Sequence, residues 1–317
     1  MLEIETAPFL ELEDYKPPEG IKCIYLKMED GKRIRLAYWK KNNQDSNRAC
    51  VLLQQGHNEF IEKYFETIQE LIDRNLDVIC YDWRGQGMSD RMIDDVNKQY
   101  IEDFNIHSKD LNYILNNFIE KEFSKPLITI AHSMGGHIIL SFSKEVKIFK
   151  GIILSAPMLG FKFEPFLFWL TKFASFFYNK EDYFIGSKPN MGKETDFEEN
   201  TLTSDYNRYK RTQKLVRKNP NIRLWGVSNA WVIAVKKSLL EMRKKNWAES
   251  LDNNFLVINP VKDKVVNSKK TLKMSKRLPN CRVINVKDSK HEILMEKNEL
   301  REIFWNNFDI FLKKIKI

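Results

Sequence analysis

Six short apolar runs constrain the fold of this chain more than any other feature of its sequence. They occupy residues 49–56, 76–82, 126–133, 151–157, 254–260 and 281–286. Runs that are apolar on both faces are typical of strands buried inside a parallel sheet. Between the runs, apolar residues recur at helical spacing, as Ile61, Phe65 and Ile68 do. The alternation predicts an α/β fold, with a mostly parallel central sheet and helices on both faces.

The strand and helix patterns stop between residues 159 and 227. This segment is aromatic and basic, and we expect it to be irregular because it shows neither period. The simplest organisation is one sheet domain, formed by residues 1–158 and 228–317, with residues 159–227 inserted as a cap. A chain of 317 residues is long enough for such a domain.

The N-terminal part of the chain predicts a hairpin. The runs CIYLKMED and KRIRLAYWK, within residues 23–41, are rich in β-forming residues and meet at Asp30-Gly31. Asp-Gly is a favoured two-residue hairpin turn. We therefore expect two antiparallel strands before the parallel part of the sheet.

Basic residues are concentrated in one part of the chain. Residues 201–250 hold twelve lysines and arginines against three acidic residues, so this stretch alone accounts for the net charge of +9. A local basic surface favours an anionic partner, such as lipid headgroups or nucleic acid. No nucleic-acid-binding motif accompanies the charge, and we expect no nucleic acid partner. The alternative is an ordinary solvated helical face.

Neither the cysteines nor the N-terminus indicates a secreted protein. The first twenty residues lack the basic and apolar regions of a secretory signal, and no stretch is apolar enough to span a membrane. We expect a cytoplasmic protein, or one that is peripheral on the inner face of the membrane. The cysteines show no metal-binding spacing and should be reduced thiols. They are Cys23, Cys50, Cys80 and Cys281.

The sequence AHSMGG, at residues 131–136, lies between an apolar run and a helical segment. It matches the nucleophile elbow G-x-S-x-G with Ala131 in place of the first glycine. Small residues are needed on both sides of Ser133 because the turn is tight. At the start of a helix, backbone N–H groups can also stabilise an oxyanion. We predict that Ser133 is a nucleophile; the alternative is a serine that only caps the helix.

A serine hydroxyl needs a base, and in this kind of site the chain order is serine, acid, histidine. Only His137 and His291 follow Ser133, and His137 lies on the helix that leaves the turn. His291 follows a predicted strand and is the base by elimination. Asp263 directly follows the strand at 254–260 and is the favoured acid, with Asp288 as the alternative.

The loop that follows the run at 49–56 is the expected source of a second oxyanion donor. Gly56 allows close approach of the loop, so we predict that the backbone N–H groups of His57 and Met134 form an oxyanion hole. The side chain of His57 is interpreted as part of the wall. The segment DWRGQGMS at 82–89 predicts a tight structural turn. No dinucleotide- or phosphate-binding motif is present, and we expect neither a metal nor an organic cofactor.

With these residues placed, the chain from about residue 20 onwards resembles the lysophospholipase and monoacylglycerol lipase branch of the α/β-hydrolases, and the bacterial lysophospholipase L2 type within it. The motifs that carry the resemblance are GHNE (56–59), DWRGQGMSDR (82–91), HSMGGH (132–137), NTLTSDYNRY (200–209), PVKDKVV (260–266) and KHEILME (290–296). One departure is Gln55-Gly56, where monoacylglycerol lipases usually have His-Gly.

The resemblance implies the α/β-hydrolase fold, with Ser133, Asp263 and His291 as catalytic triad and His57 and Met134 as oxyanion donors. It implies hydrolysis of a fatty acyl ester of a lysophospholipid through an acyl-enzyme. Monoacylglycerol lipase, general carboxylesterase, thioesterase and aminopeptidase are alternatives. A binding protein that keeps the fold without catalysis is an alternative of another class. The resemblance implies a structural role for NTLTSDYNRY.

The predicted cap contains an aromatic stretch at residues 161–178. Glu164, Pro165 and Lys172 exclude a membrane-spanning helix there. One interpretation is an amphipathic helix packed over the core. The other is a hydrophobic lid that binds acyl chains or enters the bilayer interface. In the second case, the basic stretch would contact anionic headgroups.

Overall fold

Nine strands in the described part of the chain form one sheet, in the order β1-β2-β3-β5-β4-β7-β8-β10-β11. A computed structural model of the protein describes residues 3–41, 48–187 and 195–317, without the side chains of 173–176. The strands are β1 (Ile4–Thr6), β2 (Lys22–Lys27), β3 (Arg33–Trp39), β4 (Cys50–Gln54), β5 (Asp77–Tyr81), β6 (Lys98–Gln99), β7 (Leu127–His132), β8 (Gly151–Ser155), β9 (Gly226–Val227), β10 (Phe255–Pro260) and β11 (Cys281–Val286). β6 and β9 lie outside the large sheet and form a separate parallel pair.

Helices connect the strands and cover both faces of the sheet. Successive residues of β4 show this. Leu52 packs on one side of the sheet with the helices at 105–114 and 229–242. Leu53 packs on the other side with the helices at 65–73 and 298–314. A 3₁₀ turn, Ile61–Tyr64, precedes the first helix. The helices are α1 (Phe65–Asp73), α2 (Asn105–Ile114), α3 (Glu120–Glu122), α4 (Met134–Phe142), α5 (Glu164–Phe177), α6 (Tyr206–Lys218), α7 (Asn229–Met242), α8 (Ser268–Ser275) and α9 (Asn298–Lys314).

The predicted α/β architecture is confirmed. All six apolar runs contain strands, and the six strands β4, β5, β7, β8, β10 and β11 pair in parallel. The predicted hairpin is present as β2 and β3. Its turn differs from the prediction: the Met28 N–H donates to the Lys32 carbonyl (2.8 Å), which leaves a three-residue loop. Gly31, at φ +82°, adopts the left-handed conformation that closes this loop.

We expected the segment 159–227 to be irregular, and this expectation is wrong because the segment contains α5 and α6. The helical period of α6 is hard to see in the sequence because most of its residues are basic or polar. Its start is fixed by Asp205, whose side chain accepts the N–H of Arg208 (2.8 Å). α5 packs against α7. The division at 158/159 and 227/228 stays a prediction.

A buried ion-pair cluster joins β3 of the N-terminal hairpin to the segments that follow β4 and β5. Arg35 on β3 is fully buried, and its guanidinium donates to Glu62 (2.7 and 2.8 Å) and to Asp82 (2.8 Å). The carboxylate of Asp82 also accepts the N–H groups of Ile61 (2.9 Å) and Met88 (2.8 Å). Asp82 thereby holds two loops at the carboxyl end of β5.

The segment 82–89 is a tight turn, as predicted. Its backbone makes turn hydrogen bonds from Gln86 N–H to the Trp83 carbonyl (2.9 Å) and from Ser89 N–H to the Gln86 carbonyl (3.0 Å). Gly87 has φ +53°, and a Cβ there would lie 2.2 Å from the Asp82 carboxylate. Only glycine fits this position.

Removing the buried cation should destabilise the protein strongly. Arg35→Met is expected to lower the free energy of unfolding by about 3–5 kcal/mol, because it leaves two buried carboxylates uncompensated. The measurement is urea unfolding followed by circular dichroism. The matched control is Arg33→Met on the same strand, whose ion pairs with Glu5 and Asp90 are exposed; it should cost less than about 1 kcal/mol. Equal losses would contradict the role of the cluster.

Candidate active site

A single residue, Ser133, connects the end of β7 to the start of α4. Its backbone is in a conformation that residues other than glycine rarely adopt, with φ 48° and ψ −113°. Two hydrogen bonds hold it: its N–H donates to the Ser155 carbonyl (3.0 Å), and its carbonyl accepts from the Met158 N–H (2.9 Å). The turn therefore lies at the carboxyl end of the parallel strands, where sites of open α/β sheets form.

Close packing explains why small residues surround this turn. A Cβ on Gly135 would lie 2.5 Å from the Gln55 carbonyl oxygen, and a Cβ on Gly136 would lie 2.9 Å from Cβ of Pro157. Ala131, which replaces the first glycine of the motif, is fully buried in the sheet. The helix after the nucleophile thus packs directly on the loop that follows β4.

The structure brings Ser133, His291 and Asp263 into hydrogen-bonding contact. His291 Nε2 lies 3.0 Å from Ser133 Oγ, and His291 Nδ1 lies 2.7 Å from Asp263 Oδ2. Asp263 Oδ1 accepts the N–H groups of Val265 (2.7 Å) and Val266 (3.0 Å). Burial alone would raise the pKa of Asp263, but the hydrogen bonds from His291 and the backbone lower it. An ionised Asp263 fixes the His291 tautomer in which Nε2 can accept the serine proton.

The alternative base and acid lie elsewhere. His137 is buried, with Nδ1 against the Met158 carbonyl (3.0 Å) and Nε2 against Ser238 Oγ (2.7 Å). Asp288 is exposed and pairs with Lys262 (2.8 Å). Neither side chain contacts Ser133 or His291 in the part of the chain that the structure describes.

The loop after β4 approaches the nucleophile closely. A Cβ on Gly56 would lie 3.2 Å from Cβ of Ser133. Within the described residues, the backbone N–H groups of His57 and Met134 donate to no protein acceptor. Both donors are therefore available for an oxyanion formed at Ser133, although their use in catalysis stays a prediction.

The ring of His57 lines the site, as interpreted from the sequence. It packs against the ring of Trp231, with centroids 4.9 Å apart. Burial lowers the pKa of His57 to about 4. Its imidazole is therefore neutral near neutral pH and contributes no charge to the site.

Sequence reasoning did not find a buried ion-pair network beside the triad. Lys63 Nζ donates to Glu59 Oε1 (2.7 Å) and to Glu292 Oε1 (2.6 Å). Glu59 Oε2 accepts the Tyr64 hydroxyl (2.7 Å) and the Gly56 N–H. The i,i+4 spacing of Glu59 and Lys63 was a signal in the sequence. The pairing of Lys63 with Glu292 could not be found from the sequence, because the two residues lie 229 positions apart.

A cavity of about 260 Å³ opens beside Ser133 and His291. The core contributes the oxyanion loop, the ion-pair network and Met295, and residues 202–223 close it from the other side. Its lining combines polar and charged groups with a larger area of apolar surface. Besides the residues already named, the contributors include Leu202, Thr203, Arg208, Tyr209, Thr212, Gln213, Val216 and Arg223.

Comparison with known families gives one match over most of the chain. A model of the family described as serine aminopeptidase, S33, matches residues 45–298. The match includes Ser133, Asp263 and His291, as well as the segment that closes the cavity.

Two kinds of curated relatives are similar to this chain. This chain is 26% identical over 294 residues to the probable lysophospholipase L2 of Haemophilus influenzae. The similarity covers 89% of this chain and 90% of that protein. This chain is 29% identical over 134 residues to the monoglyceride lipase of Rattus norvegicus. That similarity covers 41% of this chain and 41% of the rat protein. The first similarity extends over most of both proteins, and the second does not.

Solved structures share the fold. The structure is similar to that of a soluble variant of monoglyceride lipase from Saccharomyces cerevisiae in complex with a substrate analogue, with a TM-score of 0.72 and 20% identity. The similarity covers 96% of this chain and all of that one (100%). It confirms the predicted fold class.

The contact between Asp263 and His291 generates a direct test. Asp263→Asn is expected to lower kcat for p-nitrophenyl butyrate by about 10³–10⁴-fold, because an amide neither fixes the tautomer nor stabilises the imidazolium. The measurement is steady-state hydrolysis, with thermal unfolding as the check on folding. The control is Asp288→Asn, which should leave kcat within about twofold. A larger loss for Asp288→Asn would identify Asp288 as the acid.

Proposed function

The chain belongs to the serine aminopeptidase S33 family, and we propose that it cleaves the fatty acyl ester of a lysophospholipid. Its relatives place it on the lysophospholipase and monoglyceride lipase branch of the α/β-hydrolases, as a carboxylic ester hydrolase. The observation that carries the proposed mechanism is the contact of His291 with both Ser133 and Asp263.

The proposed reaction has two stages. Ser133 Oγ attacks the ester carbonyl carbon while His291 Nε2 takes the hydroxyl proton. The resulting oxyanion accepts hydrogen bonds from the N–H groups of His57 and Met134. When the tetrahedral intermediate collapses, the C–O bond of the ester breaks, and His291 protonates the departing glycerophospho-alcohol. Water, deprotonated by His291, then attacks the acyl carbon of the acyl-enzyme. The bond between this carbon and Ser133 Oγ breaks, His291 returns the proton to Oγ, and the fatty acid leaves.

The extent of similarity favours a lysophospholipid as substrate. The match to the lysophospholipase L2 relative covers 89% of the chain, so it extends into the segment 159–227. Part of that segment, from Leu202 to Arg223, lines the cavity beside Ser133. The rat monoglyceride lipase match covers only 41% of the chain. Because the walls of the cavity determine which leaving group fits, the longer match carries more weight.

One observation favours the alternative, a monoacylglycerol or another neutral ester. Two of the basic side chains that line the cavity are bound by carboxylates. Lys63 contacts Glu59 and Glu292, and Arg208 contacts Glu66 (2.5 Å). Such pairing compensates the charges that would otherwise attract a phosphate. A non-catalytic binding protein remains the alternative of another class.

A substrate panel tests the proposal. Purified protein should hydrolyse 1-palmitoyl-lysophosphatidylcholine with a higher kcat/KM than 1-palmitoylglycerol, and a fluorophosphonate probe should label Ser133. Ser133→Ala should lose label and at least about 10⁴-fold in kcat, since the nucleophile is gone. Ser141→Ala, on the same helix but outside the site, should keep both. Preference for the monoacylglycerol would support the alternative lipase, and absence of labelling would support the non-catalytic one.

We also propose that α5 contacts the membrane. Phe163, Phe166 and Trp169 are 79, 60 and 60% exposed, and the last two rings stack on each other (centroids 6.1 Å apart). The side chains of Phe173 and Phe176 lie outside the described residues. No helix in the part of the chain that the structure describes is long and apolar enough to cross a bilayer. A surface helix of this kind can bind in the interface plane.

Most of the basic residues in the stretch 201–250 lie on two helices, α6 and α7. On α6, Arg208 and Arg211 pair with Glu66, and Lys214 pairs with Asp14 (3.2 Å), so carboxylates compensate at least three of its six basic residues. α7 packs against α5, and its Lys236 Nζ donates to the Phe168 carbonyl (3.0 Å). On α7, Lys237 likewise pairs with Asp103 (2.7 Å), so carboxylates compensate basic residues on both helices. The proposed contact with anionic headgroups is therefore assigned to Lys236, which lies beside α5.

The membrane proposal predicts a loss of vesicle binding on removal of exposed aromatic rings. Phe163→Ser with Phe166→Ser should weaken binding to phosphatidylglycerol vesicles by about tenfold or more, because each buried aromatic contributes about 1.5–3 kcal/mol. The measurement is vesicle sedimentation. Ile310→Ser, which removes an exposed apolar side chain on α9, is the control and should not change binding. Salt should weaken binding of the wild type. Equal binding to neutral vesicles would contradict the contribution of the basic residues.

A further inference from the structure

Asn58 joins the loop after β4 to Leu224, the residue that directly follows the segment 202–223 over the cavity. Its side-chain Nδ2 donates to the Leu224 carbonyl (2.9 Å), and its Oδ1 accepts the Leu224 N–H (2.6 Å). The amide thus satisfies both backbone groups of one residue, as a neighbouring strand would. Leu224 is buried, and it lies 166 residues further along the chain.

The same residue follows His57, whose N–H is the proposed oxyanion donor. On one side of His57, the Gly56 N–H donates to the Glu59 carboxylate. On the other side, the Asn58 N–H donates to Gln86 Oε1. The two peptide groups that flank the donor are therefore held by side chains, and the Asn58 amide adds a connection to Leu224.

We propose that Asn58 is a positioning residue, which couples the segment 195–227 to the oxyanion hole. The inference rests on the proposed function, because it assigns the His57 N–H to the oxyanion of an ester. When Leu224 is in place, the Asn58 side chain holds the loop so that the His57 N–H can donate to the oxyanion oxygen of the reacting ester. When Leu224 moves away, the loop loses this support.

Two further hydrogen bonds hold the segment over the cavity against the loop that carries His291. The Glu292 N–H donates to the Leu202 carbonyl (2.8 Å), and Thr203 Oγ1 donates to the Met295 carbonyl (2.6 Å). The base and the oxyanion loop are thus both held by the segment over the site. Of these contacts, only the one at Asn58 acts on a proposed transition-state donor.

The chemistry of asparagine suits this position in two ways. Asn58 has φ +61°, a left-handed conformation that asparagine adopts more readily than most residues. Its amide can donate and accept at the same time, which the paired backbone groups require. Glycine would keep the backbone conformation and lose both hydrogen bonds. Aspartate would keep the acceptor but place an oxygen against the Leu224 carbonyl.

The test is Asn58→Gly, assayed with p-nitrophenyl acetate and with an alkyl trifluoromethyl ketone. The ketone forms a hemiketal oxyanion with an active serine, so its affinity reports on the oxyanion hole. We expect kcat to fall about 10–100-fold with KM within about twofold, and the affinity for the ketone to fall by the same factor. Asn58→Asp should lose at least as much, and it carries the test if the glycine variant does not fold.

The matched control is Asn75→Gly, because Asn75 also has a positive φ (56°) and lies outside the site. It should leave kcat and ketone affinity unchanged. Unchanged ketone affinity in folded Asn58→Gly, or a rise in KM alone, would overturn the inference.

Failure of the proposed function would look different. Wild-type protein that cleaves p-nitrophenyl acetate but no lysophospholipid would overturn the substrate assignment and leave the Asn58 result standing. Wild-type protein that cleaves no ester and takes no fluorophosphonate label would overturn both.

Discussion

The site depends on the one-residue turn between β7 and α4. Because Ser133 alone connects the strand to the helix, the first turn of α4 is forced against the neighbouring loop, where Gly135 meets the Gln55 carbonyl. That contact fixes how close the loop after β4 comes to the nucleophile. Gly56, in this loop, is close enough to the nucleophile that a Cβ there would lie 3.2 Å from Cβ of Ser133.

Buried charges hold the elements around the turn. The adjacent residues Glu62 and Lys63 belong to the same 3₁₀ turn, yet they serve opposite parts of the molecule. Glu62 binds Arg35 and so fastens the N-terminal hairpin, whereas Lys63 binds Glu292 beside the catalytic histidine. Such pairs add little net stability relative to an apolar core, but each is costly to break. They therefore favour one arrangement of the loops.

The sequence was sufficient for eight of the nine strands in the sheet and for the order of the site residues, because apolar runs and strand ends are local patterns; the exposed strand β1 shows no such run. The structure brings together Ser133, Asp263 and His291 as that order suggested, while their catalytic roles, the domain limits and the cellular location stay predictions. The helical α6 was missed because its charges hide its period. Asn58 and Leu224 could not be paired from one sequence, since their contact depends on how the intervening sheet folds.

The backbone of Ser133 sets the stability of the protein against the presence of a hydroxyl group at the turn. A non-glycine residue held at φ 48° costs about 1–3 kcal/mol, which is a large fraction of the net stability of about 5–15 kcal/mol typical of a domain. The cost lies in the backbone, so Ser133→Gly would relieve the strain and remove the hydroxyl group at the same time. The site therefore carries its proposed nucleophile only in a conformation that lowers the stability of the protein.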